Sequence, residues 1–245
     1  MDASKVAQTT LPFEPFVILT PRLLVLPTPH AISSRYYRSL YASLHADKAF
    51  CEMAFGDHFS PVQWSDEKTH DAIQRGDINV CWKLRGMGDF AVGLRPPEIF
   101  TESSSAVEIL EGDALKGIPC LDLQNLDEIT WVGYAGVRDA TTTSMPPREA
   151  GDPPLPPWTE MAEIRYGVAP TYWGKGIAKE AAEAVMHWAA NARGVTRFIA
   201  ETERPNKRSA RALEKLGFTL SGTNYWKEPR PRVTTARAVR RTTWG

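Results

Sequence analysis

The stretch "AEIRYGVAPTYWGKGIAKEAAEAVMHWA", residues 162–189, runs from a strand through a glycine pair into a helix. AEIRYGV reads as a strand, with Glu163 and Arg165 on one face and Ile164 and Tyr166 on the other. Further on, Ala178, Ala181, Ala182, Val185, Met186 and Ala189 recur at helical spacing, an apolar stripe suited to packing on a sheet. Lys179 and Glu183 form an exposed i,i+4 pair on that helix. Between strand and helix stand Gly174 and Gly176. Glycine costs about 1 kcal/mol inside a helix but is permissive in a turn. The pair therefore marks either a tight turn or a backbone that must come close to something negative. At a helix start the first N–H groups lack helical partners and the macrodipole adds partial positive charge. Bare glycines there would admit a pyrophosphate.

Two familiar phosphate loops do not fit. No Ser or Thr follows a Gly-Lys in the register of G-x-x-x-x-G-K-[ST], and the third glycine position of G-x-G-x-x-G is Lys179. A bare G-x-G is also compatible with a plain turn. Downstream, VTRFIAETE predicts a strand and NKRSARALEKLG a helix capped by Asn206 and ended by Gly217. Strand, glycine loop, helix, strand, helix is an α/β unit. FTLSGTNYWKE and RVTTARAVRRTTW read as closing strands.

Upstream, FVILTPRLLVLP reads as a first strand, and residues from His30 to about His45 as a helix with Tyr37, Leu40, Tyr41 and Leu44 at its spacing. WSDEKTHDAIQRGD predicts a helix capped by Ser65 and ending near Gly76. INVCWKLRG alternates, with Ile78, Val80, Trp82 and Leu84 facing one way, and predicts a half-buried strand. ITWVGYAGVRD predicts another strand, its glycines suited to close packing. Two stretches break the pattern. Residues 95–127 are acidic, serine-containing and aperiodic, and residues 139–158 are dense in proline. Both read as flexible loop insertions in a single domain spanning 1–245.

Lys plus Arg equals Asp plus Glu, so nothing in the balance points to nucleic acid or an anionic membrane. Cys51, Cys81 and Cys120 form no C-x-x-C pair, which suits a reducing compartment and gives no zinc site. The first residues lack a basic start followed by an apolar run, and no stretch approaches a membrane span. A cytoplasmic protein is the expectation, monomer or homodimer.

The segment AEIRYGVAPTYWGKGIAKEAAEAVMHWA, followed by RFIAETERPNKRSARALEKLGF, resembles the GNAT superfamily of acyl-CoA-dependent N-acyltransferases, most closely the branch of ribosomal-protein N-acetyltransferases. TPRLLVLP and WVGYAGVRD also look like strands of that family. The resemblance is strong from Ala162 to Phe218, and both insertions lie outside it. It implies an α/β (α+β) fold with a mixed, mostly antiparallel sheet of six to seven strands flanked by helices, and acetyl-CoA as cosubstrate without a metal. In the family the loop cradles the CoA pyrophosphate through backbone amides. That role maps to Trp173, Gly174, Lys175, Gly176, Ile177, Ala178 and Lys179, with Trp at the usual polar first position. The preceding strand, here Tyr166, Gly167 and Val168, would pair with pantetheine, and Asn206 would hydrogen-bond it. Asn206 serves equally as a simple helix cap.

Acetyl transfer needs a neutral amine, hydrogen bonds to the thioester carbonyl and a proton for the leaving thiolate. Glu163 is a candidate base, directly or through water, unless it simply pairs with Arg165 or solvent. Glu201 is its rival, five residues before Asn206 where the branch carries an acidic base; it reads equally as a solvated strand residue. The backbone N–H of Val168 is the candidate to polarise the carbonyl. Many relatives carry a tyrosine seven residues after the Asn, and here that position is Leu213, which cannot donate a proton. Ser209, on the helical face of Ala212, Leu213 and Leu216, could instead bond the CoA sulfur, or bond back to a carbonyl one turn earlier. His45, His58 and His70 lack metal-ligand spacing, and His187 falls on the exposed side of its helix. Arg237, Arg240 and Arg241 could meet the CoA phosphate or line a solvated strand edge. Trp82, Trp131 and Trp226 read as core or pocket wall. The expected activity is acetylation of a primary amine, whether amino acid, small amine or protein N-terminus, with no nucleic acid or membrane partner. The alternative is a non-catalytic acyl-CoA-binding sensor or scaffold.

Overall fold

The computed structural model describes residues 13–56, 59–99, 106–117, 126–145, 148–203, 205–220 and 241–244. The single first strand expected from FVILTPRLLVLP is a hairpin, β1 (Phe16–Leu19) and β2 (Leu23–Pro27), with Ile18 opposite Val25. Pro21 has no N–H for a ladder, so the chain turns there. Thr20 locks the turn, its N–H donating to the Leu23 carbonyl and its Oγ1 accepting from the Leu23 N–H, each at 2.9 Å.

The helix expected from His30 to His45 is two pieces, α1 (Thr28–Ala31) and α2 (Arg35–Ala46). Ser34 breaks between them and caps the second, its side chain accepting from the Tyr37 N–H. A further helix, α3 (Lys48–Phe55), for which the sequence reading has no counterpart, starts at the Asp47 cap. Ser65 caps α4 (Asp66–Ile73) as expected, accepting from the Lys68 N–H at 3.2 Å. That helix does not end near Gly76. It continues as a π-helical segment, Gln74–Trp82, and one more turn, α5 (Lys83–Arg85), stopped by Gly86 at φ 63°. The strand expected over Ile78–Gly86 is therefore wrong. Burial decides the conflict. Ile73, Asp77, Ile78, Cys81 and Trp82 face inward at helical spacing, whereas Val80, which alternation would bury, is exposed. The strand lies next door, β3 (Asp89–Leu94).

Residues 95–127 are not wholly irregular, because β4 (Glu108–Glu111) pairs antiparallel with β1 and puts Ile109 opposite Ile18. β5 (Trp131–Asp139) and β6 (Ala162–Val168) follow the sequence reading. Between them the second insertion begins with a short helix, α6 (Ala140–Thr143), capped by Asp139. Then come α7 (Ile177–Arg193), β7 (Phe198–Glu203), α8 (Lys207–Lys215) and β8 (Arg241–Trp244). Of the two closing strands, FTLSGTNYWKE falls largely outside the described residues, as do Arg237, Arg240 and Trp226.

The strands form one eight-stranded sheet in the order β4-β1-β2-β3-β5-β6-β7-β8. That is one more than the six to seven expected, the extra edge strand coming from the first insertion. Every pairing is antiparallel except β6 with β7, which α7 joins as a β-α-β crossover. The stripe on α7 is broader than its alanines suggest, since Ile177, Ala184 and Trp188 are also buried. Trp188 stacks on Phe16 at 5.1 Å and meets Phe90 edge-on at 5.1 Å, so α7 covers the face carrying Phe90. Phe90 is in register with Ala135 and Tyr166. Their neighbours Tyr134 and Gly167 therefore point to the other face. There Tyr134 meets Tyr41 of α2 at 5.6 Å, and a Cβ on Gly167 would strike both Tyr134 and Phe50 of α3.

Candidate functional site

The sheet opens at one place. β6 and β7 pair from Ala162 opposite Phe198 to Ile164 opposite Ala200, and among the described residues their ladder ends there. β6 runs on through Arg165, Tyr166, Gly167 and Val168, bonded on its other side to β5. The Ala169 N–H donates to the Val132 carbonyl at 2.9 Å, so residue alternation turns the Val168 N–H the other way, toward β7 and the gap. The gap thus holds backbone donors and acceptors with no strand to take them, the feature that an extended ligand could complete. Glu201 sits just past the end of the ladder, half-buried and opposite Thr243 of β8.

The glycine loop lies at the end of β6 and leads into α7. Gly174 and Gly176 have φ of 76° and 77°, the left-handed region, so the backbone itself demands glycine at both. The space before them is open as well. A Cβ at Gly174 would meet nothing within 4 Å, and one at Gly176 only the tip of Arg22, at 3.4 Å. Gly174, Lys175 and Gly176 are exposed, and Ile177 turns in to the core. The loop is held from both sides. The Trp173 indole N–H donates to the Val168 carbonyl at 2.7 Å, tying the loop to the end of β6. Arg22, from the β1–β2 turn, donates to the Lys175 carbonyl at 2.8 Å and pairs with Glu180 at 2.6 Å. Thr20 donates to the same Glu180 at 2.6 Å. The guanidinium of Arg208 lies 4.7 Å from the Trp173 ring, and the Lys175 ammonium 4.9 Å from that of Tyr172. The helix N-terminus thus has no side-chain cap, with Lys175 in the loop, Arg208 against Trp173 and Arg22 tied to the first-turn Glu180. The open space before its N–H groups fits a pyrophosphate. Lys179 is paired with Glu183 along the helix, as Arg22 is with Glu180.

Across the gap, Asn206 does more than cap α8. Its Oδ1 accepts from the Ser209 N–H at 2.9 Å, and its Nδ2 donates to the Met53 carbonyl of α3 at 2.8 Å. Ser209 does not bond back to its own helix. Its Oγ shares a 3.0 Å hydrogen bond with the phenol of Tyr166, which also reaches the Ser209 carbonyl at 3.3 Å. Leu213 is buried in the core at 1 % exposure, so the position where relatives carry tyrosine does not open to the gap.

Glu163 is buried and accepts a 2.5 Å hydrogen bond from the Ser144 hydroxyl, which the second insertion supplies. The expected alternative, pairing with Arg165, is not the contact seen. Arg165 lies 3.4 Å from Asp89 and 4.9 Å from the Tyr134 ring. Ser144 is invisible to a sequence reading that treats residues 139–158 as loop.

The residues from 31 to 219 match the family described as Acetyltransferase (GNAT) domain. The chain belongs to the GNAT acetyltransferase family. A curated relative, the FsC-acetyl coenzyme A-N(2)-transacetylase of Aspergillus fumigatus, is 29% identical over 106 residues, 42% of this chain and 45% of that protein. The match thus spans under half of the relative's length. Among solved structures, a GNAT-family acetyltransferase from Bacillus anthracis superposes with a TM-score of 0.52 at 17% identity, covering 93% of this chain and 96% of that one. The RimL ribosomal L7/L12 alpha-N-protein acetyltransferase in complex with coenzyme A gives a TM-score of 0.53 at 14% identity, with coverage of 93% and 96%. Both show the shared fold.

In this GNAT domain the face opposite α7 is aromatic. His45 stacks on Trp64 at 4.4 Å and lies 4.7 Å from Tyr41, and Phe55 and Phe59 are 4.6 Å apart. Burial lowers the pKa of His45, against the bond of its Nδ1 with the Tyr41 carbonyl, and so favours neutral imidazole. Among the described residues no group of three or more His, Cys, Asp or Glu is placed to hold a metal, and no helix is long and apolar enough to cross a membrane. His58 and Cys120 lie outside the described residues.

Proposed function

We propose that this GNAT domain transfers an acetyl group from acetyl-CoA to a primary amine. The observation that carries the reading is the gap between β6 and β7, lying beside a glycine loop that opens a helix N-terminus with Arg22, Lys175 and Arg208 beside it. The amides from Trp173 to Lys179 would hold the pyrophosphate. Tyr166 and the Val168 N–H would offer their gap-side backbone to pantetheine, with Gly167, whose backbone groups alternate toward β5, between them. Asn206 would exchange its bond to Met53 for one to the same arm. When bound, acetyl-CoA supplies an activated acyl group. The Val168 N–H, aimed into the gap, is suited to stabilise charge on the acyl oxygen. Ser209 stands where it could donate to the sulfur.

Two carboxylates compete to relieve the amine of its proton. Glu201 lies at the mouth of the gap. Glu163 lies deeper, on the aromatic face, with Ser144 already donating to it. Ser144 holds that carboxylate in place, and a water beyond it would complete the path. The acceptor is an amino acid, a small amine or a peptide N-terminus. The name of the fungal relative, an N(2)-transacetylase, supports an amino-group acceptor. Cys51 and Cys81, both free and buried, suit the reducing cytoplasm.

A second reading, an acyl-CoA-binding sensor without turnover, draws on Leu213, whose buried position leaves the usual tyrosine acid missing. Thiol release from acetyl-CoA, screened over amino acids, polyamines, aminoglycosides and N-terminal peptides, separates the two. Turnover with any of them supports the transferase. Tight binding by calorimetry without turnover supports the sensor, and absence of CoA binding defeats both.

A further inference from the structure

We propose that the phenol of Tyr166 is the proton source behind Ser209, so that the two hydroxyls act as a relay to the leaving sulfur. The inference rests on the acetyltransferase reading above and assigns its missing acid. Tyr166 belongs to the stretch of β6 that runs past the end of the β6–β7 ladder. Its side chain points to the α7 face and reaches the first turn of α8, where Ser209 Oγ lies 3.0 Å from the phenol oxygen. The bond therefore spans the gap from strand to helix. Asn206 fixes its far end by taking up the Ser209 N–H. A helix serine normally satisfies its hydroxyl on a carbonyl of its own helix; this one is matched to a group that can both donate and accept. Burial raises the phenol pKa, against the opposing hydrogen bond with Ser209, so the phenol keeps its one proton at neutral pH, within reach of both the Ser209 carbonyl and its Oγ.

The step balances without a further reagent. A bond forms between the amine nitrogen and the acyl carbon as the carbon–sulfur bond breaks, and that electron pair stays on sulfur. Ser209 gives its proton to sulfur and takes one from Tyr166. The proton released by the amine passes to a carboxylate and solvent, and solvent restores the phenol. The sum is thioester plus amine giving amide plus thiol. Tyr166 acts through Ser209 and is a positioning and relay residue, and Leu213 need not donate anything.

The test compares wild type, Tyr166→Phe, Ser209→Ala and the double variant. Calorimetry with acetyl-CoA reads binding. The ultraviolet absorbance of the thiolate, titrated with CoA alone, reads the pKa of the bound thiol. Steady-state thiol release reads kcat. The relay predicts unchanged acetyl-CoA affinity for Tyr166→Phe, a raised pKa for the bound thiol and a kcat loss of roughly 100-fold. It also predicts that the double variant is no worse than either single one, since the hydroxyls work as a unit. A bound-thiol pKa equal in wild type and Tyr166→Phe would overturn it, as would a loss residing wholly in affinity. Failure of wild type to bind acetyl-CoA would instead strike the transferase reading itself.

Discussion

At the scale of single residues, Gly174 and Gly176 answer to two demands at once. Their positive φ is a requirement of the turn, and the open space before them suits an anion. Alanine at either position should destabilise the protein by about 1–2 kcal/mol through left-handed strain, read by urea unfolding. If the loop also cradles pyrophosphate, each alanine variant weakens acetyl-CoA binding by at least about tenfold, or 1.4 kcal/mol. Destabilisation with unchanged affinity would reduce the loop to a turn. Leu213 yields the opposite kind of expectation. Restoring the tyrosine of relatives there, Leu213→Tyr, should overpack a core site at a cost of about 1–3 kcal/mol without raising kcat. A gain in kcat with intact stability would show that the side chain reaches the gap after all. The glycines, Asn206 and Ser209 could be found from sequence because each sits at a helix start, where local rules are strong. The Tyr166 phenol and Ser144 could not, since one meets its partner only when α8 packs beside β6 and the other comes from a stretch that reads as loop.

At the scale of elements, the helices starting at Ser65, Ile177 and Asn206 and the strands β5, β6 and β7 were legible, whereas the caps at Ser34 and Asp47 were missed. Ile78 to Arg85 alternates as a strand should, yet tertiary contact buries Ile78, Cys81 and Trp82 on one helical side and leaves Val80 in solvent. FVILTPRLLVLP reads as one strand because its apolar character hardly falters, and only the Thr20 locks reveal the turn. The edge strand Glu108–Glu111 was hidden by its acidic surroundings. Its partner is the wholly buried β1, whose outer edge would otherwise offer open N–H and carbonyl groups for pairing with other chains. Replacing both Ile109 and Leu110 by proline must remove at least one ladder donor, since successive N–H groups point to opposite sides. The double variant should aggregate on mild heating, seen by light scattering, while its acetyl-CoA affinity below that temperature stays within about threefold, or 0.65 kcal/mol, of wild type. Unaltered colloidal behaviour would mean that β4 does not guard this edge.

At the scale of the molecule, α1, the π-helical segment, β3 and β6 are drawn together around buried charge. Asp77 accepts the Asp89 N–H at 2.8 Å and is approached by the Thr28 hydroxyl. Asp89 lies beside Arg165, which in turn reaches the Tyr134 hydroxyl at 3.3 Å. Burial, reinforced by the neighbouring Asp89 carboxylate, pushes the Asp77 pKa up to about 7, whereas in the unfolded chain it lies near 3.9. Between about pH 4 and about 7 the native state therefore holds a proton that the unfolded chain has released. Stability from this group is fully present below the unfolded pKa and is lost as pH rises through the folded one, with a slope of at most about 1.4 kcal/mol per pH unit. Asp77→Asn keeps an acceptor for the Asp89 N–H and cannot ionise, so urea unfolding between pH 5 and 8 should lose this downward slope in the variant. At pH 8 the variant should be more stable than wild type, because it no longer forces a second carboxylate to ionise beside Asp89. An identical slope in both proteins would show that Asp77 is already ionised across that range, held so by Arg165 acting through Asp89.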